Sequence, residues 1–90
     1  MVMHVNIELS KFERIRSLRL ENNLTQKELA NYLNVKQNTY SQYEIGILNY
    51  PLDILIKLAI YYDTSIDYLV GLTDNPDPYK RAKNYKNIIS

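Results

Sequence analysis

Residues 25–44 admit few conformations: they read as two short helices joined by a tight turn. Thr25 followed three residues later by Glu28 is a helix start. A hydroxyl there accepts from an orphan amide while the carboxylate reaches back to the cap. Leu29, Ala30 and Leu33 follow as the inward stripe. A small side chain at Ala30 lets a second helix cross closely, and Asn34 can take the left-handed turn conformation that other residues with a side chain resist. In the second helix Tyr40 and Tyr43 stand at i and i+3, which puts both on one face. Gln37, Asn38, Ser41 and Gln42 are left on the outward side.

An exposed helical face of amides and a hydroxyl, with no charge to force one type of partner, suits base edges in the major groove of double-stranded DNA. Overall charge adds nothing to that expectation. The formal net charge is +1, so any basic patch must be local. Ninety residues make one domain. A chain of this size buries only roughly 60–65% of its extended surface, so its stability is modest unless it oligomerises. Absence of cysteine excludes a disulfide framework, zinc fingers and thiol catalysis. Apolar runs are too short to span a bilayer. Met1-Val2-Met3-His4 carries no basic region leading into an apolar core, so no secretion signal is visible and a cytoplasmic protein is expected.

The remaining segments read as follows. Met3 to Leu9 alternates apolar and polar residues, the period of a half-buried strand or of a loose arm. Ser10 to Glu13 is a second capping box, opening a helix to about Asn23 with Phe12, Ile15 and Leu18 on its buried stripe. Leu24 packs at the corner. Gly46 ends the third helix, where a positive φ costs nothing. Pro51 fits the first position of a fourth helix, which runs to about Tyr62. Ser65 caps a short fifth helix carrying Ile66, Tyr68 and Leu69, with Gly71 as its stop. Asp74-Asn75-Pro76-Asp77-Pro78 is turn chemistry, and the tail beyond it holds Lys80, Arg81, Lys83 and Lys86 without an acidic side chain. Ala82, Tyr85 and Ile88 or Ile89 share helical spacing there, too briefly for an independent helix. The expected organisation is an N-terminal arm over 1–9, a helical domain over 10–73, and a linker with a basic tail over 74–90.

Five stretches in order carry a family likeness: Arg14 to Arg19, Leu24 to Ala30, Tyr40 to Glu44, Leu55 to Ala59 and Ser65 to Thr73. Together they resemble the lambdoid repressor and Cro type of bacterial or phage regulator over about Phe12 to Asp74. The resemblance implies an all-α, compact five-helix lambda-repressor-like domain with a helix-turn-helix. It implies a DNA-binding transcriptional regulator, a repressor bound as a homodimer to a palindromic operator. Carried onto matching positions, it gives Gln26 a hydrogen bond to a phosphate or an adenine. Gln37, Asn38 and Gln42 enter the major groove, with Lys36 and Ser41 flanking. Arg19 and Glu44 match the structural ion pair joining helix 1 to helix 3.

The chain departs from that pattern between helices 3 and 4. Ile45-Gly46-Ile47-Leu48-Asn49-Tyr50 has no cation, so only Asn49, Tyr50 and main-chain amides could donate to phosphate. Fewer phosphate contacts give a shallower salt dependence. Helix 4 is also more apolar than one core face requires. Leu52, Leu55, Leu58, Ala59 and Tyr62 suffice for packing, which leaves Ile54, Ile56, Ile60 and Tyr61 on other faces. These either form an interface or are covered by the arm and tail of the same chain. A second reading follows: an antitoxin or other interaction module that grips a protein partner, a toxin or an anti-repressor, through helix 4 and the 45–50 loop.

Catalysis has little support. His4 is the only histidine, and no Cys or clustered carboxylate stands at ligand spacing, so no enzyme, metal or cofactor is expected. Nine tyrosines could stack on single-stranded bases. However, Tyr32, Tyr40, Tyr43, Tyr62 and Tyr68 fall on core stripes, where packing explains them better.

Overall fold

The computed structural model describes residues 13–88. The chain is helical from residue 13 to 21 (α1), then over Gln26–Leu33 (α2), Gln37–Glu44 (α3), Leu52–Tyr61 (α4) and Ile66–Leu69 (α5), with a 3₁₀ turn at Tyr85–Ile88. No strand occurs among the described residues. The candidate strand over Met3 to Leu9, the cap at Ser10, Phe12 and His4 lie outside them.

Four of the helices end in the same way. One or two residues past each helix the chain turns left-handed, and the N–H of that residue and the next one close back on carbonyls of the last turn. After α1, Asn23 (φ 57°) bonds to Leu20 and Leu24 to Arg19, each at 3.0 Å. After α2, Asn34 (φ 60°) bonds to Asn31 and Val35 to Ala30. After α4, Asp63 (φ 53°) bonds to Ile60 and Thr64 to Ala59. After α5, Gly71 (φ 86°) bonds to Tyr68 and Leu72 to Asp67. Gly46 (φ 88°) turns the chain at the end of α3. The expectations at Asn34, Gly46 and Gly71 hold, while Asn23 and Asp63 were not anticipated. As a result α1 stops at residue 21, before Asn23.

Helix starts follow their caps. Thr25 Oγ1 accepts from the Glu28 N–H at 3.0 Å, and the Glu28 carboxylate accepts from the Thr25 N–H at 2.8 Å. Ser65 Oγ accepts from the Tyr68 N–H at 3.0 Å. Pro51 sits one position earlier than expected. Its ψ of 153° is extended, so it caps α4 and Leu52 is the first helical residue.

Ile15, Leu29, Leu33, Tyr40, Leu58 and Leu69 form the fully buried centre. They come one or more from every helix, so the core closes only when all five are in place. Ile54 is 4% exposed and Leu52 67% exposed, which reverses the assignment made from spacing. Leu52 is the first residue of α4 and projects from its end, while Ile54 stands one turn before Leu58 and shares its buried side. Tyr32 is likewise 43% exposed and not a core residue. Its ring lies 4.5 Å from that of Tyr61, which is also exposed, so the two shield each other at the surface.

Segment 73–88 folds back on the bundle. Arg14 on α1 donates from Nη1 to the carbonyls of Tyr68 (2.9 Å) and Thr73 (2.6 Å), pairs with Asp74, and stacks over the Tyr68 ring at 4.2 Å. Arg81 donates to the Thr64 carbonyl at 3.1 Å, at the C-terminal end of α4 where carbonyls lack helical partners. Tyr79 donates to Asp67 at 2.7 Å. Ile56 and Ile60 of α4 then share a recess with Arg81, Ala82, Tyr85 and Ile88. The tail therefore walls one side of an open recess on the surplus apolar face of α4, and the arm expected to help cover that face lies outside the described residues.

Candidate nucleic-acid interface

The turn that joins α2 to α3 is compact because Asn34 is left-handed and Lys36 returns to an extended conformation (φ −71°, ψ 148°) as the cap of α3. α3 then presents two faces of different chemistry. Tyr40, Tyr43 and Glu44 are buried. Gln37 and Asn38 are exposed, and Ser41 and Gln42 are half-buried at the edge of the same outward face. Gln26, Gln37, Asn38 and Ser41 line one open hollow between the start of α2 and the start of α3. The sequence expectation thus names residues that the fold brings together. Lys36 is exposed beside them.

Behind this face lies a buried polar node. Arg19 donates from Nε to Glu44 Oε2 at 2.7 Å and from Nη2 to Glu44 Oε1 at 3.1 Å. Tyr40 donates its hydroxyl to Oε2 at 2.6 Å, and Gln26 donates from Nε2 to Oε1 at 3.1 Å. Arg19 also reaches the Leu24 carbonyl at 2.8 Å. Burial alone would push the Glu44 carboxyl up. Hydrogen bonds from Arg19, Tyr40 and Gln26 more than offset it and hold the group below the usual carboxylate range. The Glu44 hydrogen bond raises the Arg19 guanidinium further against desolvation. The ion pair anticipated from the sequence is present. Its link to Gln26 was not anticipated, because nothing near Gln26 in the sequence points to Glu44. The i to i+4 spacing of Tyr40 and Glu44 was a signal that could have been read.

The loop after α3 behaves unlike a phosphate clamp. The Leu48 N–H bonds to the Gln42 carbonyl at 3.1 Å, which ties the loop to α3. Asn49 is exposed and free to face outward. Tyr50 is not placed as the sequence suggested. Its ring packs 5.1 Å from Tyr43 and 6.5 Å from Tyr40, and its hydroxyl has no contact with solvent. Burial pushes that phenol up. A hydroxyl turned into the core cannot donate to a phosphate outside, so Tyr50 leaves the set of candidate contacts. Ile45, Ile47 and Leu48 are exposed instead, the first two by more than 60%.

A family model for the helix-turn-helix matches residues 15–69, which spans α1 through α5. The chain belongs to the helix-turn-helix family. Among its relatives, an uncharacterised helix-turn-helix-type transcriptional regulator of Bacillus subtilis, YobD, is 42% identical over 77 residues, 86% of this chain and 69% of that protein. The cryptic phage CTXphi transcriptional repressor RstR of Vibrio cholerae is 44% identical over 58 residues, 64% of this chain and 52% of that protein. The helix-turn-helix-type transcriptional regulator ImmR of Bacillus subtilis is 38% identical over 63 residues, 70% of this chain and 50% of that protein. The chain thus spans about half the length of two of these relatives. No solved structure gave a significant match. The likeness to the lambdoid repressor and Cro type holds, and this helix-turn-helix domain is a double-stranded-DNA-binding unit of transcriptional regulators and not an enzyme. No described helix is long and apolar enough to cross a membrane.

Proposed function

We propose that this protein is a sequence-specific transcriptional repressor of bacterial or phage origin. It works in the cytoplasm and binds a palindromic operator as a homodimer. One observation carries the reading: α3 buries its tyrosines and turns outward an amide face, with Gln37 and Asn38 exposed and Ser41 and Gln42 half-buried at its edge. Amide side chains pair with adenine N6 and N7 in the major groove, so A·T pairs are expected at the contacted positions. Lys36 and Asn49 donate to the DNA backbone at either end of α3. Two copies placing α3 about 34 Å apart enter successive major grooves on one side of the duplex. Repression follows from occlusion of the promoter. Dimerisation supplies what a single small domain lacks, since one copy touches too few bases for useful affinity. The names of RstR, a repressor, and of two regulators support the same role here.

Selection from a random duplex pool on the purified protein at physiological salt tests the proposal. Enrichment of a two-fold symmetric motif with half-sites about ten base pairs apart is the expected result. A well-folded protein that enriches nothing contradicts it.

One observation favours a second reading as a protein-interaction module such as an antitoxin. Ile45, Ile47 and Leu48 stand exposed where a DNA-binding loop would place cations. Failure of the selection, together with co-purification of the product of an adjacent reading frame, would establish that role.

A further inference from the structure

We infer that Glu44 is a positioning residue for DNA reading: it holds the Gln26 amide in one of its two flips, so that Gln26 reads an adenine edge beside Gln37. This rests on the reading of α3 as the DNA-facing helix. The physical reason lies in what a carboxylate accepts. Glu44 is buried, its side chain 1% exposed, and its two oxygens already receive Arg19, Tyr40 and Gln26. An ionised carboxylate takes donors only. Turning the Gln26 amide over would set its carbonyl oxygen against Glu44 Oε1, acceptor against acceptor, in a buried place where such a contact is costly. The Nε2 side of the amide therefore stays on Glu44. Its carbonyl oxygen faces away, and one N–H remains unused by the carboxylate.

Gln26 also lines the hollow with Gln37, Asn38 and Ser41. A glutamine free to flip suits any phosphate, because that contact needs only an N–H. A glutamine with its acceptor and remaining donor in one fixed order suits a base edge that offers an amine beside a ring nitrogen, which is adenine. Glu44 thus joins the ion pair that holds α1 to α3 with the chemistry of the outward hollow.

Side-chain amide exchange, read by nitrogen–proton spectroscopy on the full chain, tests the fixed orientation without any DNA. The Gln26 Nε2 protons should exchange with water roughly tenfold more slowly than those of Gln37, which is exposed. Equal rates would overturn the inference. With a selected operator in hand, Gln26→Ala and Glu44→Gln should each weaken operator binding roughly 5- to 100-fold and random DNA little. The double variant should lose no more than the weaker of the two singles, because both changes undo one contact. Additive losses would show that Glu44 acts through stability alone. Losses shared by random DNA would make Gln26 a phosphate contact, and either result overturns the inference. Should Glu44→Gln fail to fold, the exchange comparison and Gln26→Ala still decide. A good operator indifferent to Gln26→Ala sinks this inference and leaves the role of α3 intact, whereas the absence of any operator sinks both.

Discussion

Arg19 on α1 and Glu44 at the end of α3 meet through two hydrogen bonds of 2.7 and 3.1 Å, with side chains only 9% and 1% exposed. Buried pairs of this kind contribute little net stability over an apolar replacement, yet removing one partner strands a charge. Arg19→Met or Glu44→Leu alone should therefore cost about 3–5 kcal/mol. The double variant should regain most of that loss. Urea denaturation of the three proteins checks the cycle, and a double variant as unstable as the sum of the singles would contradict it.

The same node sets the acid limit of the fold. Glu44 is held below the ordinary carboxylate range when folded, so its unfolded form binds the proton more readily. Its contribution is fully present above the unfolded value, about 4.3, and is lost as pH falls through the lower folded value. Tyr40, Tyr50 and Tyr62 are raised by burial, which sets the opposite limit. Their contribution is complete below about pH 10 and is lost above it. Urea midpoints measured across pH should show a plateau that falls off at both ends. Glu44→Gln should flatten the acid side, and Tyr62→Phe should soften the alkaline side.

Gly71 isolates backbone strain from crowding. Its φ is 86°, and a Cβ built on it would meet nothing within 4 Å. Gly71→Ala should cost roughly 1–2 kcal/mol through the left-handed conformation alone. A thermal melt that shows no loss would mean that the turn after α5 relaxes at no cost.

On the outward face of α3, Gln37→Ala and Gln42→Ala should each cost roughly 1–3 kcal/mol on a selected operator and little on random DNA. Fluorescence anisotropy with both duplexes measures the difference. Equal losses on both would mean that these amides do not read bases.

Salt dependence checks the loop. Tyr50 is turned inward, and the 45–50 loop has no cation. Arg81 is also engaged, on the carbonyls that end α4. Few phosphates are then neutralised, and the slope of log affinity against log salt should be much shallower than the value of about −10 of a strongly electrostatic repressor. Lys36→Ala should reduce that slope by about one.

Local chemistry was legible without the fold. The cap pairs Thr25–Glu28 and Ser65–Tyr68 and the left-handed turns at Asn34, Gly46 and Gly71 each depend on residues a few positions apart, and all formed as read. The alternation of faces on α2 and α3 also held, because helical geometry fixes which residues share a side. Family likeness added the Arg19–Glu44 pair, which spacing alone does not reveal. Where reading failed, the choice of packed side or a distant neighbour was responsible. Pro51 capped α4 and did not enter it, and the packed side of α4 runs through Ile54 and Leu58 and leaves Leu52 exposed at the helix end.

The sequence by itself determined that the chain is a run of short helices, with the starts at Thr25 and Ser65 and the stops at Asn34, Gly46 and Gly71, and that α3 carries an amide face opposite its tyrosines. Those features follow from contacts within one or two helical turns. Only the tertiary structure decided that Tyr50 hides its hydroxyl among Tyr40 and Tyr43, that Gln26 reaches Glu44, and that the tail comes to line a recess with Ile56 and Ile60. Such contacts join residues from separate elements. Their partners are chosen by how the packed helices cross, a choice that no local pattern encodes.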